Sequence, residues 1–185
     1  MNIEPEMFLR LCEETKKLVF FDIESTGQKG DYNSVLCVSI KPYKAKPVTH
    51  VIKQVGNDKA VVRLAKETLE GACCWVSYYG KGFDIPMLNT RLLKWGYEPI
   101  AKRPHVDMYF TLKANILTGR RSQAHLLAWL GTKEQKMTVG ADIWSSLAMS
   151  FDKNIETLIK RCESDVHGLE DMYTRTNHLI REITR

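Results

Sequence analysis

The chain has 185 residues, 44% hydrophobic and 26% charged, which suits a folded domain and excludes a disordered polymer. A formal net charge of +5 permits a polyanionic partner without demanding one. The five cysteines are odd in number and contain no Cys-x-x-Cys pair, which argues against a disulfide framework or a zinc ribbon and for a reducing, cytoplasmic setting. No basic leader opens the chain and no apolar run reaches membrane-span length, so neither a signal peptide nor membrane insertion is expected.

In chain order, Glu6 to Thr15 has the spacing of a short helix, with Phe8, Leu9 and Cys12 on one side. Leu18 to Glu24 is a continuous apolar run carrying two acids and reads as a buried strand. Asn33 to Ile40 and Val48 to Val55 are two further strands of a meander, separated by Pro42 and Pro47. Asn57-Asp58 is positioned to cap a helix running to Glu70. Cys73 to Tyr78 is a short strand, and Asp84 to Trp95 a helix with Pro86 in its first turn and Gly96 as its stop.

Val106 to Tyr109 follows Pro104 as an extended segment entering a helix. Thr111 to Ser150 reads as short helices broken at Gly119, Gly131 and Gly140, and Ile155 to Ile183 as the longest helix. Strands followed mainly by helices indicate a mixed α/β fold. With no repeat and no linker, residues 1–185 are expected to form one domain.

Asp22 and Glu24 lie two apart on the first strand, so both carboxylates share one face while Phe21 and Ile23 take the other. Two anions side by side in an apolar strand repel each other, and a divalent cation between them removes the conflict. A bare Asp-x-Glu is more often a solvated pair at a strand end. Taken alone, Asp84, in the glycine-rich turn Tyr78 to Leu88, reads better as a helix cap, and Asp165 as an exposed helix carboxylate.

Context favours a shared site. Phe20-Phe-Asp-Ile-Glu-Ser-Thr-Gly27 resembles the first motif of the DEDD-type, DnaQ-like 3′–5′ exonucleases. Ser77 to Leu88 resembles their second motif. His105 to Met108, with Ala124 to Gly131, is similar to the corresponding region of family-B DNA polymerase proofreading domains, and Arg161-Cys-Glu-Ser-Asp165 is similar to the third motif. The resemblance extends from Lys17 to Tyr173.

It implies a ribonuclease H-like fold, a central mixed sheet flanked by helices. Asp22, Glu24, Asp84 and Asp165 would converge on two Mg²⁺ or Mn²⁺ ions, the metals suited to an all-oxygen ligand set. Asp107 would organise the site from behind it or cap the helix after Met108. Ser25, Thr26 and Gly27 would contact substrate. Tyr79, where the family pattern has Asn, and Phe83 offer stacking surfaces for unpaired bases. Arg161 stands where the family has Tyr. It is one helical turn from Asp165 and cannot serve as a base, so it would pair with Asp165 or grip a phosphate.

Lys81, Lys102, Arg103, Arg120 and Arg121 are candidate backbone contacts. The implied activity is 3′–5′ exonucleolysis of single-stranded DNA. Alternatives are an RNA exonuclease and a catalytically weakened nucleic-acid-binding module. A proofreading role would call for a separate polymerase or another replication or repair partner. An intracellular location, cytoplasmic or nucleoid-associated, or in host cytoplasm for a viral chain, agrees with these activities.

Overall fold

The computed structural model describes residues 4–133 and 151–184. Helix α1 (Pro5–Glu14) leads into β1 (Leu18–Ser25), β2 (Val35–Pro42) and β3 (Val48–Val51). Helix α2 (Lys59–Glu70), β4 (Cys74–Ser77), α3 (Asp84–Lys94), β5 (His105–Asp107), α4 (Met108–Asn115) and α5 (Gln123–Leu130) follow. Helix α6 (Phe151–Thr176) and a 3₁₀ turn (Asn177–Leu179) complete the order.

The five strands form one mixed sheet in the order β3-β2-β1-β4-β5. β1 runs antiparallel to β2 and parallel to β4, and β4 runs parallel to β5. β1 is therefore central, which explains its unbroken apolar run: helices cover both of its faces. Val19, Phe21 and Ile23 join a core with Val62, Ala65 and Leu69 of α2, Leu88 and Leu92 of α3, and Leu158 of α6. Leu18 and Phe20 join the opposite core with Leu9 of α1, Met108 of α4, Leu127 of α5, and Val166 and Leu169 of α6. By strand parity, Asp22 and Glu24 continue the Leu18–Phe20 face.

Several element ends differ from expectation. β3 stops at Val51, ahead of the turn that contains Gly56 at φ 88°. α6 ends at Thr176 rather than Ile183, and the chain then turns back so that Thr184 bridges to His105 beside β5. Helix α4 already begins at Met108, ahead of Thr111, and α5 follows, closed by Gly131 at φ 62°; the expected break at Gly140 lies outside the described residues.

Asp58 precedes α2, but its carboxylate makes no capping bond there. It is fully buried and accepts from Val35 N (2.9 Å), Arg91 Nε (2.8 Å) and Nη2 (2.9 Å), and Trp95 Nε1 (2.7 Å). This ion pair joins β2, α2 and α3, and Arg91 also donates to the Gly30 carbonyl at 3.0 Å. Among the described residues, no helix is long and apolar enough to cross a membrane.

Candidate active site

The end of β1 meets the middle of α6. The Cys162 thiol of α6 donates to the Asp22 carbonyl at 3.2 Å, and Gln123 of α5 donates through Nε2 to the Asp165 carbonyl at 2.9 Å. These contacts register α6 against the strand and bring Asp22, Glu24 and Asp165 together. One carboxylate oxygen from each lies within 4.8 Å of the others. Glu24 and Asp165 are buried, so the three charges are held close in a poorly solvated place.

Asp84 stands outside this group of three but lines the same cleft. Its Oδ1 accepts from the Ile23 N–H at 3.2 Å, the residue between Asp22 and Glu24. Its carboxyl is raised to about 7, chiefly by burial and in part by the charges of Asp107 and Glu24, with backbone N–H bonds opposing the rise. The structure thus gathers three of the four expected acids tightly and places the fourth on the wall of the cleft.

The cleft has a volume of about 720 Å³ and includes Gln28, Lys29, Tyr79, Phe83, Ser122 and Gln123 along its lining. No histidine lines it among the described residues. Arg161 also faces it. Its Nε lies 2.7 Å from Glu24 Oε1, so the guanidinium reaches across to β1. Helical spacing alone pointed to Asp165 and gave no sign of Glu24. The difference is tertiary: α6 lies along β1, and the side chain finds Glu24 there.

Asp107 is the helix cap that its sequence allowed, and its carboxylate also reaches the turn after β4. Its carboxylate caps α4 through Tyr109 N at 3.1 Å, and it also accepts from Tyr79 N (2.9 Å) and Lys81 N (3.0 Å). Burial raises its carboxyl above the usual range while these three N–H groups oppose the rise. It therefore ties the turn after β4 to the start of α4.

That turn is tight. A Cβ at Gly80 would lie 2.4 Å from Ser77 Oγ, and one at Gly82 would lie 2.5 Å from the Tyr79 ring, so both positions need glycine. Tyr79 itself adopts φ 64°, which is uncommon for a bulky residue and marks a position held by its surroundings. Its half-exposed ring packs edge-on against Tyr109 at 5.0 Å between centroids and tilted against Phe110 at 5.9 Å. Phe83 both packs against the core and lines the cleft.

Ser25, Thr26 and Gly27 are engaged within their own loop. Ser25 Oγ donates to the Gly27 carbonyl at 2.7 Å, Thr26 Oγ1 accepts from Ser34 N at 3.0 Å, and Gly27 lies against Asn33. Of this loop, Gln28 and Lys29 are the residues that line the cleft. Sequence reading missed these two and Gln123. The only local sign was a cation soon after the first motif. Lys81, Lys102 and Arg103 line a separate cavity of about 250 Å³ beside Trp75 and Pro86. Arg121 offers its carbonyl to the Tyr78 hydroxyl.

Residues 19–177 match the family model described as the RNase_H superfamily. The chain is similar to a PolC-type DNA polymerase III of Mycoplasma genitalium, 23% identical over 195 residues that cover 89% of this chain and 12% of that protein. The chain thus spans a small part of the curated relative it matches. Its fold is similar to that of the family B DNA polymerase of the hyperthermophilic archaeon Pyrobaculum calidifontis, with a TM-score of 0.67 at 16% identity over 86% of this chain and 24% of that one.

Proposed function

Because the chain belongs to the ribonuclease H superfamily, we propose that it is a divalent-metal-dependent 3′–5′ exonuclease acting on single-stranded DNA. The observation that carries this reading is the approach of Asp22, Glu24 and Asp165 within 4.8 Å at the floor of an open cleft. The donor set fits the cofactor: hard carboxylate oxygens suit Mg²⁺ or Mn²⁺. The names of the two similar proteins favour DNA as substrate and a polymerase as the working partner.

Asp22, Glu24 and Asp165 would hold the metal, with Asp84 completing a two-ion set from the cleft wall. Bound there, the ions supply an activated water and charge stabilisation at the leaving oxygen. The residues of the chain contribute the remainder. Tyr79 and Phe83 present ring faces where an unpaired base can stack, and Lys29 faces the cleft as a phosphate contact. Asp107 holds the turn that aims Tyr79. Arg161 cannot serve as a base, and among the described residues no histidine lines the cleft in place of the Tyr that the family pattern has near the third motif.

The ion pair between Arg161 and Glu24 favours one competing reading, a nucleic-acid-binding module in which catalysis is weakened. End-labelled DNA and RNA oligonucleotides, single-stranded and blunt duplex, decide among these with Mg²⁺ or Mn²⁺ present. The expected result is a ladder shortening from the 3′ end of single-stranded DNA, stopped by EDTA and by Asp22→Asn or Asp165→Asn with the fold intact by circular dichroism. Activity of both variants within about tenfold of the parent would refute the carboxylate site. Binding without any cleavage selects the module, and preferential loss of RNA selects the ribonuclease.

A further inference from the structure

Three aromatic side chains stand at the edge of the cleft and are not accounted for by the core. Tyr79, Tyr109 and Phe110 belong to neither apolar cluster, whereas their neighbour Tyr78 packs against the one that holds Leu18 and Phe20. Their rings touch in sequence: Tyr79 to Tyr109 at 5.0 Å, Tyr109 to Phe110 at 5.2 Å, and Tyr79 to Phe110 at 5.9 Å between centroids. Tyr79 is 44% exposed and Phe110 43%. Helix α4 buries Met108 and Leu112, so Phe110 stands on the side away from the core, where a polar residue would leave less apolar surface in water. A single exposed ring is ordinary, but a contiguous patch of them beside a cleft marks a binding surface.

Cations follow the rings. Lys113 comes three residues after Phe110 and four after Tyr109, on their side of α4. It lines a small groove with Tyr109, Thr118 and Arg121, and no residue lining that groove is acidic. The groove is continuous with the cleft. Tyr78, which lines the cleft, donates its hydroxyl to the Arg121 carbonyl, and its ring lies 5.9 Å from that of Tyr109.

We propose that Tyr109, Phe110, Lys113 and Arg121 form a strand-binding track on and beside α4, which holds the part of a single strand that lies behind the 3′ end in the cleft. This rests on the exonuclease reading, which puts the terminal nucleotide at the carboxylates and obliges the rest of the strand to leave the cleft. Tyr79 belongs to both surfaces, since it lines the cleft and packs against Tyr109 and Phe110. The planes of Tyr79 and Phe110 differ by only 32°, so the two rings make one stepped platform on which successive bases can stack whatever their sequence. Lys113 and Arg121 supply the positive charge that the accompanying phosphates need.

The test separates strand length from chemistry. Binding of oligo(dT) of about 2 to about 12 nucleotides is measured by competition anisotropy in EDTA. Hydrolysis of the p-nitrophenyl ester of thymidine 5′-monophosphate, which has no strand to occupy the track, is measured with Mn²⁺. Phe110→Ala should weaken the longer oligonucleotides about five- to tenfold and leave both the shortest one and ester hydrolysis within about twofold of the parent. Phe110→Trp should keep the parent affinity. Lys113→Gln should reduce the slope of log affinity against log salt by about 0.7 for the long strands. Equal weakening at every length overturns the track, because Phe110 then only supports Tyr79; a length dependence equal to the parent's overturns it too. Should Phe110→Ala fail to fold by circular dichroism, the salt slopes of the surface variants Lys113→Gln and Arg121→Gln decide, and slopes equal to the parent's reject the track. A parent that binds no oligonucleotide rejects it as well. If neither the ester nor any strand is hydrolysed while the length dependence holds, the exonuclease reading fails and the track stands as a strand-binding surface.

Discussion

Asp107→Asn is the perturbation that best separates the frame of the site from its chemistry. The carboxylate is buried and accepts three backbone N–H bonds, Tyr79 and Tyr109 on Oδ1 and Lys81 on Oδ2. The asparagine oxygen can replace Oδ1. The amide nitrogen then faces Lys81 N–H, donor against donor, and leaving that N–H without an acceptor costs about 1–3 kcal/mol. The two bonds that survive pass from a charged to a neutral acceptor and weaken by about 1 kcal/mol each. Relief from burying a charge offsets part of this, so the net loss should be about 2 kcal/mol. For a chain of this length that is a fall in melting temperature of about 4–8 °C.

The consequence for function follows from Tyr79, whose positive φ is held in part by the Asp107 bond. With that bond weakened and the neighbouring Lys81 bond lost, the ring should spend less time packed against Tyr109, and affinity for a labelled single-stranded oligonucleotide in EDTA should fall. Thermal melting by circular dichroism and fluorescence anisotropy measure the two effects. A melting temperature within about 1 °C of the parent would refute the accounting of the three bonds.

Asp58→Ala should cost about 3–5 kcal/mol in urea melts, because it strands the buried Arg91 guanidinium without a counter-ion. Burial drives the His105 imidazole down to about 3, with the charge of Lys81 adding to the effect. The unfolded chain therefore takes up a proton that the folded one refuses, and this contribution to stability is full above about pH 6.5 and lost progressively toward about pH 3. His105→Phe should flatten the fall in melting temperature between pH 7 and pH 5, and an unchanged slope would contradict it. Tyr79→Ala should weaken single-strand binding by about 1–3 kcal/mol per stacked base and leave duplex binding nearly as it was, as measured by anisotropy at fixed salt.

The two-residue spacing of Asp22 and Glu24 was enough to place both carboxylates on one strand face, because strand parity is a local property. The strands were legible for a similar reason, since apolar runs and turn residues mark them wherever tertiary packing does not redraw their ends, whereas the central mixed sheet was implied only by the family resemblance. What the sequence concealed depends on contacts between distant segments. Helical spacing offers Asp165 as the partner of Arg161, but nothing local reveals that Glu24 lies alongside. Asp58 has the position of a helix cap, and only the approach of Arg91 and Trp95 turns it into a buried junction. Lys41 is likewise buried, against Glu170 of α6, where a strand-end lysine would be expected in solvent. Gln28 and Gln123 carry no local signature at all, since it is loop course and helix docking that bring them to the cleft.

The docking of α6 on β1 joins parts of the chain that are far apart in synthesis: the bond from Cys162 to Asp22 spans 140 residues. A growing chain presents Asp22 and Glu24 on a strand long before Asp165 leaves the ribosome, and closing so large a loop is a late and costly event in folding. Until α6 seats, the acids exist but the ligand set does not. On the proposed reading of these acids as metal ligands, ion capture would report completion of the fold, and the topology alone would keep a partly folded or nascent chain inactive.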